Sequence, residues 1–433
     1  MNSAAVIGAG ITGLTAAYRL AKQGWQVTVF EAAREVGGLA SGYRGGDWDW
    51  PLERFYHHLF ASDSHMRGLV DEIGFGSRLF FRRPVTAQWW EGKTYPLDSP
   101  GAVLRFPGVP LADRVRFGGA VAYLRFLCRD WRKLEKSTAA GWCRRAMGDR
   151  AYQALMRPLL EGKFGEHYEE VNTAWLWARF RARTPQLGYF EGGFQAFADA
   201  LAAAARRQGS RILTGQVIEQ VRQDPDGRWS IETAEGVQTF DAVLSTTSPG
   251  TLAKMAPELP ASYLDRVRKL RSLGAIVLTI ALDRPLSPQV YWLNVPKPRF
   301  PFLALVEHTN FIEPQHYGGV HLVYCGDYIP VEHEYFKLSA DEILERFLPA
   351  LRDVNPQFSR EWVKGWWMHR EPYAQPVVSL NHSKNIPPIA SPLAGLYWAS
   401  MSQVYPWDRG TNFAVEIGEM AAAEMIRARP PAG

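Results

Sequence analysis

The hydrophobic pattern opens with a short unbroken apolar run at residues 4–7, cut by Gly8, Gly10 and Gly13 and followed over 14–23 by helical spacing. A second apolar run, 25–30, ends at Glu31, so strand, glycine turn, helix and strand are the predicted order. Residues 61–189 read as mostly helical after two short strands near 79–97. Strand-like runs at 275–282, 302–307 and 320–326 then precede a helix over 339–351. Near the end, 395–400 read as a strand and Thr411 onward as a helix, with Thr411 or Asn412 as its cap. No repeat interrupts this order, and only the proline-rich tail after Arg427 looks loose.

The opening unit carries the first candidate chemistry. In a strand–turn–helix of this spacing, the first glycine permits the tight turn. The second lets backbone approach a pyrophosphate, and the third lets helix and strand pack closely. The phosphates then rest on the helix N-terminus, at Ile11, Thr12 and Gly13. Glu31 follows at the distance where a carboxylate accepts hydrogen bonds from an adenosine ribose. A glycine-rich turn without ligand is the simpler reading of the glycines alone, but the flanking strand, helix, second strand and acidic end all agree on a dinucleotide.

The glycines at 8, 10 and 13, then Glu31, then Gly37–Gly38 resemble the FAD signature of the amine oxidase, protoporphyrinogen oxidase and phytoene desaturase superfamily. The glycine pair decides between nucleotides: it resembles the second phosphate-side contact of FAD enzymes. Other segments are similar too. Residues 188–221 resemble the family's glycine-led helix and a strand whose backbone meets adenine, here near Val217, and the run from Met156 resembles a helical motif of protoporphyrinogen oxidases. The resemblance implies an α/β fold: a Rossmann-type, glutathione reductase-like FAD-binding domain with an inserted mixed-sheet substrate domain and a helical region. It implies non-covalent FAD held by Gly8, Gly10, Ile11, Thr12, Gly13, Glu31, Gly37, Gly38, Leu39 and Val217, and by Asp408, Arg409, Gly410, Thr411 and Asn412 at the far end. Two departures stand out. Many members carry Arg where this chain has Leu39, and an acidic residue where Ser400–Met401–Ser402 stand; Asp408 can take that carboxylate's place. Both argue against a plain amine oxidase.

On this reading residues 1–60, 190–250 and 390–433 build the FAD domain, 61–189 a largely helical substrate- or membrane-facing region, and 251–389 the mixed-sheet substrate domain. The chain's 433 residues suffice for such an assembly, and 46% hydrophobic against 21% charged residues mark a globular protein. Three cysteines without a CxxC pair exclude a disulfide framework and a zinc site. No signal peptide or run of about 18 apolar residues is visible, so a cytoplasmic protein is expected.

Charge changes the picture in one stretch. Residues 105–145 hold ten Arg or Lys against three Asp or Glu, whereas the whole chain carries only +5. There Phe117, Val121, Leu124, Leu127, Trp131 and Leu134 keep helical spacing, with Arg125, Arg129, Arg132 and Lys136 on another face. The bland reading is a surface helix packing its stripe on the core. The other is contact with anionic lipid, or a landing site for an amphiphilic, phosphate-bearing substrate. Nucleic acid is not indicated, since no recognised binding fold accompanies the patch.

For chemistry, the resemblance leaves hydride or electron transfer to the flavin, so the protein must position a substrate and exclude water. Tyr56, His57 and His58 follow the first FAD segment, where an imidazole moves protons or binds an anion, or simply packs. Tyr373 and Gln375 are expected in the pocket wall, and Tyr405, Trp407, Asp408 and Arg409 near the ring's edge; Lys163 is a weaker candidate. The expected activity is dehydrogenation of a largely apolar or amphiphilic small molecule. The alternative is a redox-neutral isomerase or mutase resembling UDP-galactopyranose mutase or carotenoid isomerase, and a third reading is a binding protein with structural FAD.

Overall fold

Short β-branched and alanine-rich runs, buried on both faces, pair in parallel because helices cover them from both sides. In the chain, here a computed structural model describing residues 1–297 and 299–430, five such strands form one parallel sheet. Their order is Arg211–Thr214, Gln26–Glu31, Ser3–Ile7, Ala242–Ser245, Leu396–Trp398, so segments from the start, middle and end of the sequence share one sheet. The helix Ile11–Lys22 leaves the first strand through the glycine turn, three residues earlier than the hydrophobic spacing predicts. Against it lies the helix Thr411–Ala428, so close that a Cβ on Gly418 would stand 2.6 Å from the Thr12 carbonyl oxygen. A meander of Ile218–Gln223, Trp229–Thr233 and Gly236–Phe240, absent from the expectation, packs Trp229 and Ile231 against Phe30 on the sheet's flank.

The second layer is a seven-stranded mixed sheet. Its order is Val363–Pro376, Ser272–Leu282, His321–Ile329, Ala304–Glu307, Val290–Asn294, Val85–Trp90, Lys93–Pro96. Strict alternation in Ser272–Leu282 explains its place. Ile276, Leu278, Ile280 and Leu282 point to the helix Ala340–Val354, while Val277 and Ala281 face the flavin-side core. The expected helical start at Ser339 holds as a reciprocal capping box with Glu342.

Two expectations change here. The strands expected near 79–97 are three, and two of them, Val85–Trp90 and Lys93–Pro96, belong to the mixed sheet instead of prefacing a separate helical region. The single amphipathic helix expected across 105–145 is several pieces. Leu111–Ala122 runs into a π turn, Tyr123–Leu127, and after a break Asp130 caps the short helix Trp131–Leu134. Leu124 and Leu134 are buried as the stripe requires, but Leu127 points outward, 71% exposed. The extra residue in the π turn rotates the stripe after Tyr123, which a 3.6-residue period cannot foresee. The tail beyond Pro430 lies outside the described residues.

Candidate flavin and substrate site

At the nucleotide end, each glycine is required for a different reason. Gly8 adopts φ +102°, a left-handed backbone that disfavours side chains, and a Cβ there would meet Thr246 Oγ1 at 2.5 Å. At Gly13 a Cβ would stand 2.0 Å from the Gly8 carbonyl oxygen, so the close approach of helix to strand excludes any other residue. Gly10 differs. A Cβ there would find no atom of the protein nearer than Gly38 Cα at 3.8 Å, so packing does not demand a glycine and the space in front of the helix stays open. No side chain caps that helix, whose first-turn N–H groups face this space. An open cradle on an uncapped helix N-terminus fits the pyrophosphate of FAD.

Glu31 completes the cradle. Its carboxylate accepts from the backbone N–H of Ala9 at 2.6 Å and of Ala33 at 2.8 Å, which fixes both oxygens yet leaves each a lone pair for a ribose hydroxyl. Gly37 donates to the Ala9 carbonyl at 2.9 Å, drawing the second glycine pair alongside the first. Val217, 59% exposed, follows Gln216, whose N–H bonds the Glu31 carbonyl at 2.8 Å, so it stands beside the acidic end of the second strand.

Beyond Gly38 the cradle opens into a pocket. Its walls are Leu39, Phe55, Tyr56 and His57 from the first segment, Ala275, Val277 and Ala374 from the mixed sheet, Asp327 and Tyr328 from the strand His321–Ile329, and Arg409. Tyr56 is seated by Gly326, where a Cβ would come within 2.8 Å of its ring, and by edge-on contacts with Trp292 and Tyr324. His57 Nδ1 bonds the Phe55 carbonyl; because a carbonyl only accepts, Nδ1 carries the proton and Nε2 keeps its lone pair. Burial lowers the His57 pKa to about 4, and burial together with Arg183 lowers that of His58 to about 3. Burial thus favours the neutral form of both rings.

The other expected residues divide. Asp408 accepts from Lys163 Nζ at 2.7 Å and lies 3.9 Å from Arg179, so burial, which would raise its carboxyl, is outweighed and its pKa falls well below the usual range. Arg409 donates to Gln375 Oε1 at 3.1 Å and to the Tyr328 hydroxyl. Tyr373 and Tyr405 stand outside the pocket wall. The Tyr373 hydroxyl braces Ser400 and Ser402 at 2.7 and 2.6 Å, and Tyr405 donates to Glu135 at 3.1 Å while packing on Trp131 and His382. Trp407 is sandwiched between Trp177 and Phe413. Thr411 and Asn412 do not cap the final helix as expected. Gly410 occupies the cap position, no side chain bonds there, and Asn412 Oδ1 instead accepts from Met66 N–H at 3.0 Å. This second uncapped helix end lies directly after Arg409.

Sequence reasoning missed Asp327, Tyr328, Arg179 and Arg183. Asp327 is 3% exposed and paired with Lys297 at 2.7 Å; burial nevertheless raises its pKa to about 6. Its only signal was an acidic residue closing the apolar run 320–326. Arg179 and Arg183 lay in the stretch 61–189, read only as mostly helical. A separate surface cleft of about 310 Å³ between Arg44, Arg78, Glu191 and Asp199 shares no residue with the pocket.

Comparison with known proteins agrees with this geometry. The chain is 26% identical over 320 residues to carotenoid phi-ring synthase of Streptomyces griseus, covering 65% of this chain and 60% of that protein's length. Its fold is similar to that of a protein described as a protoporphyrinogen oxidase from Exiguobacterium sp. 255-15, with TM-score 0.77, 18% identity and 98% of each chain covered. It is similar as well to a reduced UDP-galactopyranose mutase, with TM-score 0.75, 15% identity, and 100% of this chain and 98% of that one covered. The profile of the flavin containing amine oxidoreductases matches residues 11–426, and the chain belongs to that family of FAD-dependent oxidoreductases.

Proposed function

We propose that the protein dehydrogenates a largely apolar or amphiphilic small molecule. In this reading segments 1–60, 190–250 and 390–433 hold FAD, while 61–189 and 251–389 enclose the substrate. The observation that carries it is the pocket next to Leu39, aliphatic along Ala275, Val277 and Ala374 and closed by Tyr56. Bound FAD supplies a two-electron hydride acceptor. The small aliphatic wall offers apolar contact to a carbon skeleton, and the Tyr56, Trp292 and Tyr324 rings shield it from water. His57, neutral with Nε2 unprotonated, takes up the proton released from the carbon neighbouring the oxidised one. Asp408 and Arg409 set the electrostatics at the final helix, and Lys163 holds Asp408 ionised.

The test is anaerobic titration of the yellow holoprotein with candidate polyene and amphiphile substrates. Stoichiometric loss of oxidised-flavin absorbance with formation of a dehydrogenated product is expected. Product formation only after prior reduction, with no net flavin turnover, would replace this reading by a redox-neutral isomerisation.

We also propose that the protein reaches such substrates at an anionic lipid surface. Among the described residues no helix is long and apolar enough to cross a membrane. Contact would be made by the face the π turn exposes: Leu111, Val115, Tyr123, Phe126 and Leu127 are 43–71% exposed, with Arg116, Arg129 and Arg132 exposed around them.

A further inference from the structure

Four cationic side chains converge beside the flavin pocket on a single carboxylate. Lys163 lies near the end of the helix Arg157–Phe164, Arg179 lies in the helix Thr173–Ala182 and Arg183 follows its end; Arg409 comes just before the final helix. Among the described residues Lys163 and Arg179 pair only with Asp408, and neither Arg183 nor Arg409 has a carboxylate within ion-pair distance. Arg409 is met instead by two neutral groups, Gln375 and Tyr328. With Lys163 protonated the basin holds three more positive than negative charges, and with Lys163 neutral two more.

These side chains are not spread over the outer surface. Lys163 and Arg179 are only 13% and 12% exposed and lie over the Trp175 ring at 5.8 and 5.5 Å, which fixes their stems. Arg183 is solvent-accessible, yet protein surrounds it closely enough that desolvation lowers its guanidinium pKa. Its guanidinium lies over the Phe60 ring at 5.5 Å. His58, held neutral beside this cluster, leaves its buried Nδ1 without a hydrogen-bond partner. A surplus of buried charge and an orphaned polar atom are both costly unless a ligand completes them.

We propose that this basin binds a multiply charged oxyanion, the phosphate or diphosphate head of an amphiphilic substrate whose apolar part lies along Ala275 and Val277. Guanidinium forks match phosphate oxygens two at a time, and a single carboxylate head would leave most of the surplus uncompensated. Burial lowers the Lys163 pKa to about 7, so an arriving anion also draws a proton onto Lys163. The basin adjoins the outward apolar face as well: Arg125, on the π turn, donates to the Arg183 carbonyl at 3.0 Å. The head group's placement relative to the flavin rests on the dehydrogenase reading, whereas the anion site stands on its own geometry.

The experiment is calorimetric titration of FAD-loaded protein with metal-free inorganic pyrophosphate at low ionic strength and pH 8, with acetate as the singly charged probe. Saturable binding about ten-fold or more tighter for pyrophosphate than for acetate is expected, with net proton uptake read from the buffer dependence of the enthalpy. Arg179→Gln and Arg183→Gln should each weaken it by about ten-fold, whereas Lys337→Gln on the outer surface should leave it unchanged. Arg183, being solvent-accessible, keeps the test valid if Arg179→Gln does not fold. Equal affinity for acetate, no saturable binding, or affinity indifferent to Arg183→Gln would overturn the proposal. Flavin content read from the visible spectrum of the same samples separates the outcomes, since protein that retains FAD but ignores pyrophosphate loses only the anion site.

Discussion

Gly10 and Gly13 belong to one motif but are held by different physics, and substitution separates them. At Gly13 a Cβ collides with backbone, so Gly13→Ala should fail to fold. At Gly10 the protein leaves room, so Gly10→Val should fold, melt like flavin-stripped wild type, and carry no FAD. A yellow Gly10→Val protein would remove the pyrophosphate from that cradle. Glu31→Ala strips the partner from two backbone N–H groups and, on the proposed assignment, from the ribose, and should weaken FAD about ten-fold or more in a fluorescence titration. Lys163 gives a pH signature. Its environment includes Asp408, Arg409, Arg179 and Arg183, and burial brings its pKa from 10.5 to about 7. Between these values the unfolded chain binds more protons than the folded one, so this group makes stability rise with pH from about 7 to 10.5. Chemical denaturation across that window should show the rise in wild type and a flatter profile in Lys163→Met.

At the scale of elements, the glycine turn and the final helix were legible because their signals are local: spacing, glycines and a change of period within about twenty residues. The meander 218–240 was not, because its strands are short, half-exposed and carry a bulge between Ile218 and Gln220. Recruitment of Val85–Trp90 to a sheet built mostly from residues 200 positions later is a tertiary choice; the parallel pairing with Val290–Asn294 leaves no mark in either strand's pattern. The cation basin was hidden for the same reason, since Lys163, Arg179 and Asp408 meet only after two helices and the final loop have packed. One element-scale contact is directly testable. Gly418 lets the final helix lie on the glycine-turn helix, with a Cβ placed 2.6 Å from the Thr12 carbonyl. Gly418→Ala gains about 1 kcal/mol of helix propensity but forces backbone apart, at a cost of about 1 to 3 kcal/mol. A lower melting temperature is expected despite the better helix former, and a higher one would show that the two helices are free to separate.

For the whole molecule, the corrected course of residues 105–145 changes what the charge surplus does. Arg125 is no longer one of a row of surface cations: it donates to the Phe180 carbonyl at 2.9 Å and to that of Arg183, tying the π turn to the end of the helix Thr173–Ala182. The buried part of the stripe packs as the bland reading required, through Leu124 and Leu134. What remains outside is apolar at Leu111, Val115, Tyr123, Phe126 and Leu127, with Arg116, Arg129 and Arg132 exposed in the same stretch of chain. On the proposed lipid contact, such a face would bind anionic bilayers through two additive contributions, apolar insertion and about 1 kcal/mol per basic residue near the surface, the second screened over about 8 Å at physiological salt. Co-sedimentation with phosphatidylserine-containing vesicles should therefore rise with anionic lipid and fall with salt. Phe126→Ser with Leu127→Ser should reduce binding at every salt concentration, whereas Arg129→Gln with Arg132→Gln should reduce it mainly at low salt, both with flavin content intact. Protein that stays in the supernatant with anionic vesicles at low salt has no lipid-facing surface here. Vesicle binding that survives the serine pair but vanishes with the glutamine pair would make the contact purely electrostatic, and the outward turn of Leu127 would then play no part in it.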